Sequence, residues 1–362
     1  MANAHNPKAR FGLTLQQARA SASHFAIADA PPLPAVNFSA VGKTAPTLPT
    51  TPAGSLPKAA VVVITWAEAE WAAMQQVFCG GEATMPYSDR TRGTWPDWQI
   101  YSADLPAGAP NGWSYWGYYR LVQVGATPVL LFKSNTHLDF PGAKYLQALI
   151  ELLVQQVAPT LILSIGTAGG TKPADHIGTV RAVSAGTLYE AGQPQSAWPL
   201  YANAWQGSNT ILSAANFNQL LLSVPTRSAD LQALCTQFNK LHNSSYTLAQ
   251  LDPGGLNLGD PIPQIDNQTG SGTSLLTTPT FVVGTTDGIY QSYSSIEMDD
   301  ALIGEACAAR QTAFGFIRNL SDPAQSPALP ASVQGGWGSA VYDAYGFYTS
   351  FNGAVAAWAM LA

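Results

Sequence analysis

The chain has 362 residues, of which 46% are hydrophobic and only 10% are charged, and its formal net charge at pH 7 is −6. A chain of this length with 10 tryptophans can bury a large core, which excludes disorder of the chain as a whole. The negative charge and the lack of a basic cluster argue against nucleic acid as a partner.

The three cysteines, Cys79, Cys235 and Cys307, are far apart and do not have metal-ligand spacings. An odd number of cysteines fits a reducing compartment, so we expect buried thiols. Because metal-ligand spacings are missing, we expect no metal ion, and we also expect no cofactor. No apolar run approaches the roughly 20 residues that a membrane-spanning helix needs. The N-terminus lacks the continuous hydrophobic segment of a secretory signal. We therefore expect a cytoplasmic protein with no membrane partner.

The N-terminal part, residues 1–57, contains a short predicted helix near residues 13–20 and then a tract rich in Pro, Ala and Thr. Such a segment is typical of an extended arm or linker, and it could also wrap a partner subunit. After this tract, from Ala59 onward, the sequence changes to the continuous apolar run of a buried strand. We therefore divide the chain into an arm, 1–57, and an α/β domain, 58–362.

The domain begins with a predicted buried strand that leads into a helix. Residues 59–65, AAVVVIT, form a continuous run of the kind seen in strands buried on both faces. Helical spacing follows and ends at Gly80. Glu68 and Glu70 therefore lie at a strand-to-helix junction, which is the ligand-binding side of a parallel sheet.

Further elements follow with less regular segments between them. The aromatic and Pro/Gly-rich segment 82–118 is predicted as an insertion or hairpin, and the long segment 190–280, with a helix near 229–241, as an insertion that forms a lid over the site. The other predicted elements are strands at 119–124, 128–133, 160–166, 177–187 and 281–287, and helices at 142–157 and 340–362. Alternation of strands and helices with buried strands predicts a mixed central sheet flanked by helices on both faces.

A glycine-rich turn, Thr167-Ala168-Gly169-Gly170, follows the predicted strand 160–166. It matches neither GxGxxG nor the P-loop. It is either a tight turn under the packing of the sheet or a place where the backbone approaches a flat or sugar-like ligand.

An acidic cluster near the C-terminal end of the chain is the second candidate for a site. Glu297, Asp299 and Asp300 open a short helix, and the apolar strand 313–317 then carries polar side chains at its carboxyl end. Ligands bind outside the carboxyl ends of strands in open α/β sheets, so these residues border one crevice. The simpler interpretation is that the acids stabilise a helix dipole and that Ser321-Asp322-Pro323 is an ordinary turn.

Three segments in the same order resemble one family. They are ITWAEAEW at 64–71, SIGTAGG at 164–170, and EMD followed by RNLSD at 297–322. Together they resemble the nucleoside phosphorylase and nucleosidase superfamily, and most of all its 5'-methylthioadenosine/S-adenosylhomocysteine nucleosidase branch. Asp299 and Asp322 are 23 positions apart, as are the matching acids of that branch. The resemblance covers roughly 59–362 and implies a nucleoside phosphorylase-like three-layer fold.

The resemblance implies two catalytic carboxylates. Asp322 would hydrogen-bond or protonate N7 of the departing purine, with Ser321 orienting it, and Glu70 would hold and activate the attacking water. The chemistry supports this division, because a purine anion is a poor leaving group and the sugar develops positive charge as the bond breaks.

The resemblance also implies a set of substrate contacts. Three residues would line the ribose, two would border the sugar or base, and two would lie against the purine face. In that order they are Glu297, Met298 and Asp299; Thr167 and Gly169; and Ile289 and Tyr290.

Two departures from the family pattern bear on the activity. The family motif ends in Glu where this chain has Asp299, which is one methylene shorter and puts the contact with the ribose diol in doubt. The phosphorylase branches carry an arginine-containing phosphate loop after the first strand, whereas residues 66–70 contain two glutamates and no arginine. Negative charge repels phosphate, so we expect water as the nucleophile.

Two other polar residues stand near these motifs. Arg318 is expected to organise carboxylates rather than to contact substrate. His137 is expected to be a solvated loop residue, with contact to a 5' substituent as the alternative.

Three hypotheses follow. The first is a purine nucleosidase that hydrolyses the N-glycosidic bond of an adenosine-like nucleoside. The second is a phosphate-dependent phosphorylase. The third is a catalytically inactive nucleoside- or base-binding protein. In each case the partner is a small-molecule nucleoside, and the resemblance implies a homo-oligomer, with a dimer as our expectation.

Overall fold

The computed structural model describes residues 35–80, 97–111, 113–207, 228–256 and 265–362. The strands are β1 Val61–Thr65, β2 Gln99–Tyr101, β3 Gly117–Val124, β4 Thr127–Ser134, β5 Leu161–Gly169, β6 Val180–Val183, β7 Ala185–Leu188, β8 Leu200–Ala202, β9 Ile265–Asn267, β10 Leu275–Thr277, β11 Ile296–Glu297 and β12 Ala313–Asp322. The helices are α1 Glu68–Cys79, α2 Ala143–Val157, α3 Ser228–His242, α4 Leu248–Leu251, α5 Asp300–Ala308 and α6 Ala331–Leu361.

Four parallel strands in the order β4-β1-β5-β12 form the centre of the sheet. Every residue of β1 is buried, as the continuous β-branched run predicted, because helices cover both faces of the strand. β5 connects the two halves of the sheet, since it pairs with β1, β12 and β11. The carboxyl ends of these parallel strands meet at one edge, where the candidate residues of the sequence lie.

Antiparallel pairs extend the sheet on both sides. β2, β3 and β4 form an antiparallel group at one edge. β6 runs antiparallel to β12, and β7 runs antiparallel to β8. The sheet is therefore mixed, as expected.

Helices cover the sheet on both faces. α1 and α6 pack together on one face, with Trp71, Phe351 and Trp358 in their shared core. α2 and α5 pack on the other face through residues such as Leu149 and Ile303. Burial of such side chains contributes about 1.5–3 kcal/mol each. The predicted α/β fold with three layers is confirmed.

Two strands extend farther than the sequence pattern predicted. β12 was expected over 313–317 but continues to Asp322, and β5 continues through the glycine-rich segment to Gly169. The reason is mutual pairing, because the two strands remain hydrogen-bonded up to the register pair of Asp322 and Gly169. The polar residues of this segment therefore lie within the strand rather than beyond it.

Two other predicted strands were placed wrongly. Residues 281–287 are not a strand, and the strand of this region is instead β10, which pairs with β7 and β11. The single strand expected over 177–187 is two strands, β6 and β7, that part at Ser184 and join different neighbours. Hydrophobic pattern alone does not reveal such a change of partner.

The described part of the predicted N-terminal arm contacts the α/β fold. Phe38 contacts Trp358 with ring centroids 4.5 Å apart, and Thr47 pairs with Gln123 next to the β3–β4 turn. The helix expected near 13–20 lies outside the described residues.

The described parts of the two predicted insertions join the fold. β2 extends the antiparallel edge, β8, β9 and β10 pair with other strands, and α3 packs on α6. The remainder of these segments, 81–96, 112, 208–227 and 257–264, lies outside the described residues. Within the described ranges, no helix has both the length and the apolar character needed to cross a bilayer.

Candidate active site

The candidate site lies where β1, β5 and β12 end and where α1 and α5 begin. Glu70 is in the first turn of α1, Asp299 immediately precedes α5, and Thr167 lies near the end of β5. Arg318 and Asp322 both lie on β12. The parallel pairing of the three strands thus brings together residues that are up to 252 positions apart in the sequence.

The Glu70 carboxylate is held by five hydrogen bonds. Oε2 accepts from the Thr65 hydroxyl at 2.7 Å and from the backbone N–H groups of Trp66 and Ala67 at 2.9 and 2.7 Å. Oε1 accepts from the N–H and the hydroxyl of Thr167, both at 2.8 Å. The side chain therefore joins the end of β1 to the end of β5 in one fixed orientation.

These contacts keep Glu70 ionised. Burial would raise its pKa, but the charge of Arg318 and the hydrogen bonds from Thr167 and Thr65 outweigh burial and lower the pKa below its ordinary value. Gly166 permits this arrangement, because an added Cβ would clash with the Arg318 guanidinium and lie 3.1 Å from Glu70 Oε1. The site thus contains a carboxylate whose ionised form is stabilised.

Arg318 organises the other carboxylates, as expected from the sequence. Its Nε donates to Asp300 Oδ2 at 2.7 Å, its Nη2 also bonds Asp300 Oδ1, and Nη2 lies 3.1 Å from Glu297 Oε2. Nη2 also donates to Ser164 Oγ at 2.9 Å. Burial lowers the pKa of Arg318, but Asp300 and Glu297 raise it well above its ordinary value. The guanidinium is thus a permanent buried cation among acids.

Glu297 is buried and already occupied by protein groups. Its Oε2 accepts from the N–H groups of Asp299 and Asp300 at 2.6 and 3.0 Å, and its Oε1 bonds the Thr277 hydroxyl. Burial, followed by the charge of Asp300, raises its pKa to about 8. Glu297 therefore shapes the turn before α5, while its neighbour Met298 is partly exposed.

Asp299 is bound to the turn after β4. Its Oδ1 accepts from the Leu138 N–H at 3.0 Å, and its Oδ2 lies 3.2 Å from His137 Nε2. Burial raises the pKa of Asp299 to about 6, and the charge of His137 limits that rise. The other ring nitrogen of His137, Nδ1, lies 3.0 Å from Asp139 Oδ1. The expectation that His137 is a solvated loop residue was wrong, because the fold places it between two carboxylates.

Asp322 lies on the opposite side of the end of β5. It pairs with Gly169, and its carbonyl accepts from the Gly170 N–H at 3.0 Å. The buried Ser321 hydroxyl lies 3.3 Å from Asp322 Oδ2, within donating reach. A Cβ added to Gly338 of α6 would lie 3.7 Å from Asp322 Oδ1, so the carboxyl group faces the start of that helix.

Solvent reaches several residues near the ends of these strands. Thr167, Gly169, Met298 and Asp322 are each partly exposed within otherwise buried segments. Thr167 and Gly169 face the same side of β5 and are two residues apart, a rise of about 6.6 Å. Glu70 bonds to Thr167 and Asp322 pairs with Gly169, so the two acidic residues adjoin neighbouring positions at the end of β5.

Tyr290 and Ile289 lie in the loop before β11. Tyr290 is 2% exposed and belongs to a cluster with Tyr189, Trp198 and Tyr293, against which Ile289 packs. The same loop reaches the Asp322 side, since the Thr286 N–H donates to the Gln325 carbonyl at 3.1 Å. Contact of these two residues with a purine stays a prediction.

Asp300 and Ser164 are parts of the site to which the sequence interpretation gave no role. Asp300 is completely buried and accepts from Ser164 Oγ at 2.5 Å as well as from Arg318. The sequence did contain a signal for a buried acid, namely three acids within the four positions 297–300. Successive residues of a helix point in different directions, so the three side chains cannot all face solvent. A buried acid then requires a buried cation, and Arg318 supplies it.

Comparison with known proteins gives matches among solved structures alone. No family model matches the chain, and no curated protein matches it. An S-adenosylhomocysteine nucleosidase from Streptococcus pyogenes matches with 15% identity and a TM-score of 0.46, over 85% of this chain and 98% of that one. A 5'-methylthioadenosine/S-adenosylhomocysteine nucleosidase from Helicobacter pylori matches with 10% identity and a TM-score of 0.46, over 84% and 98%.

A third match is the futalosine hydrolase of Helicobacter pylori, with 10% identity, a TM-score of 0.45 and coverage of 83% and 96%. The first two matches belong to the nucleosidase branch that the sequence motifs resemble. At these identities the similarity concerns the fold, so the function below is argued from the residues of this chain.

Proposed function

We propose that this protein is a purine nucleosidase that hydrolyses the N-glycosidic bond of an adenosine-like nucleoside. The observation that carries the proposal is the pair of acidic residues that adjoin the end of β5. Glu70 is buried, ionised and fixed, whereas Asp322 is partly exposed at the end of β12. Two carboxyl groups in different environments can divide the work of acid and base between them.

Asp322 serves the leaving group. As the bond between C1' and N9 breaks, its electron pair passes to the purine, and Asp322 delivers a proton or a strong hydrogen bond to N7. Ser321 supports this role, since its hydroxyl lies 3.3 Å from Asp322 Oδ2. The Asp287–Tyr290 loop, tethered to the Asp322 side by Thr286, supplies Ile289 and Tyr290 to the purine face.

Glu70 serves the sugar and the water. The sugar becomes an oxocarbenium-like cation, and a fixed ionised carboxylate stabilises such a charge. Water adds to C1', and its proton passes to Glu70. The five hydrogen bonds make Glu70 a weak base. A weak base suffices, because water that has bonded to a carbocation is strongly acidic.

The remaining contacts concern the sugar and the bordering backbone. Asp299 accepts hydrogen bonds from sugar hydroxyls, Met298 packs against the ring, and Thr167 and Gly169 border the sugar or base. Glu297 acts through the turn that it holds, since its own oxygens bond to Thr277 and to the N–H groups of the turn.

Water is the nucleophile in this proposal. The junction of β1 and α1 presents Glu68 and Glu70, and the Arg318 guanidinium is bonded to Asp300 and adjacent to Glu297. A phosphate dianion would meet the negative charge of Glu70 at this junction.

The test is chromatographic detection of free base after incubation with adenosine, inosine, methylthioadenosine and S-adenosylhomocysteine, each with and without phosphate. We expect base release without phosphate. Release that requires phosphate would replace the nucleosidase by a phosphorylase. Tight binding of nucleoside with no released base would instead identify an inactive binding protein.

A further inference from the structure

The turn between β4 and α2 is built around Asp299. His137 Nε2 lies 3.2 Å from one Asp299 oxygen, and the N–H of the next residue, Leu138, donates to the other oxygen at 3.0 Å. Asp139 lies behind the imidazole, 3.0 Å from Nδ1. Consecutive residues of one turn therefore contact both oxygens of a buried carboxylate.

The turn itself is fixed to the catalytic side of the sheet. Trp66, whose own N–H donates to Glu70, donates from its indole to the Thr136 carbonyl at 2.9 Å. Ser134 Oγ accepts from the Thr136 N–H at 2.9 Å and donates to the Thr136 carbonyl at 2.7 Å. The position of His137 is thus tied to the junction that holds Glu70.

We propose that His137 is a positioning residue that fixes the Asp299 carboxylate for hydrogen bonding to the hydroxyl groups of the sugar. This inference rests on the proposed function. Aspartate is one methylene shorter than glutamate, so its carboxylate reaches less far. The turn that contains His137 and Leu138 contacts the carboxylate in this shorter position. Asp299 Oδ1 accepts one hydrogen bond from the turn and Oδ2 lies 3.2 Å from His137 Nε2, so each oxygen retains a lone pair for a hydroxyl. On the proposed function, the ligand is a sugar with free 2' and 3' hydroxyls.

The surrounding charges favour an ion pair. Burial lowers the pKa of His137, but Asp299, Asp139 and then Glu70 of α1 raise it above its ordinary value. Asp299 faces His137, Arg318 of β12 and Asp300 of α5, and its pKa is about 6. The raised pKa of His137 favours its charged form, and the pair of opposite charges is lost as Asp299 becomes protonated when the pH falls through about 6.

The experiment compares His137→Gln with the matched control His242→Gln. His242 lies at the end of α3, where it contacts Phe238. KM and kcat are measured with adenosine and with 2',3'-dideoxyadenosine, and the inhibition constant is measured with adenine. We expect KM for adenosine to rise about tenfold or more in His137→Gln, as for loss of a hydrogen bond to a charged group. KM for the dideoxy substrate and inhibition by adenine should stay within about twofold.

The pH profile gives a second readout. Without the charge of His137 the pKa of Asp299 rises, so the acid limb of kcat/KM should move to higher pH in His137→Gln. If that variant does not fold, Asp139→Asn replaces it. Loss of the Asp139 charge lowers the pKa of His137, so the basic limb should move to lower pH.

The outcomes separate this inference from the proposed function. Equal weakening of adenosine and dideoxyadenosine, with unmoved pH limbs, would overturn the role of His137 while leaving the nucleosidase intact. If the unaltered protein binds neither adenosine nor adenine and releases no base from any nucleoside, the proposed function fails first.

Discussion

Replacement of Arg318 by methionine tests the electrostatic core of the site. The guanidinium is 3% exposed, bonds Asp300 in a two-pronged contact, and lies 3.1 Å from Glu297. Methionine keeps the apolar stem and removes the charge, which leaves Asp300 without its cation at 0% exposure. Loss of one partner from a buried ion pair costs about 3–5 kcal/mol. We expect that loss in the free energy of unfolding at neutral pH.

The loss should depend on pH with a definite sign. Arg318 lowers the pKa of Glu70, so the stability from that pair is present above the unfolded pKa of a glutamate and is lost as pH falls through the folded value. The difference between Arg318→Met and the unaltered protein should therefore shrink on acidification from neutral pH, because the carboxylates then become neutral.

The measurement is urea unfolding followed by circular dichroism at several pH values. Arg310→Met is the matched control, because Arg310 pairs with Glu151 at 3.0 Å but both side chains are about one-third or more exposed. An exposed pair contributes about 0–1 kcal/mol. If Arg318→Met costs no more than Arg310→Met, Arg318 does not hold the carboxylates as argued.

Three further predictions concern catalysis and packing. Asp322→Asn should lower kcat by about 10²–10⁴-fold while nucleoside still binds, because the amide keeps the shape and lacks the acid proton; near-normal turnover would exclude Asp322 as the acid. Glu70→Gln should lose hydrolysis in steady-state assays, because an amide cannot accept all five hydrogen bonds and carries no charge; intact hydrolysis would refute the role of Glu70. Gly166→Ala should cost about 1–3 kcal/mol in thermal or urea unfolding, because its Cβ clashes with the Arg318 guanidinium, whereas Gly288→Ala has no atom within 4 Å and should be neutral. Equal effects of the two alanines would contradict the close packing at Gly166.

The local hydrophobic pattern was sufficient to predict a helix or strand wherever the whole segment is buried in the same way. The continuous β-branched run of β1 and the helical spacing of α2 predicted those elements closely, because burial on both faces of a strand or along one stripe of a helix is visible in the order of the apolar residues. Pattern failed for 281–287 and for 177–187, where the choice of neighbouring strand decides the structure. Strand pairing between distant segments has no local signature.

The residues of the candidate site also fall into those that the sequence could identify and those that only the structure revealed. The motifs around Glu70, Thr167, Asp299 and Asp322 could be selected from the sequence because three segments in one order resemble a known family, although each motif is weak by itself. Their tertiary partners could not be selected. His137 is 162 positions from Asp299, and nothing in its own segment distinguishes a solvated histidine from one held between two carboxylates.

The sequence by itself determined the fold class and predicted the edge of the sheet that carries the polar residues and the carboxylates proposed to act there. The tertiary structure alone decided the state of each carboxylate. Arg318 holds Glu70 ionised, the proximity of Asp300 and burial push Glu297 toward neutrality, and His137 limits the rise in the pKa of Asp299. The physical reason is that a pKa depends on burial and on charges within a few ångströms, and these neighbours come from strands and turns that are distant in the chain.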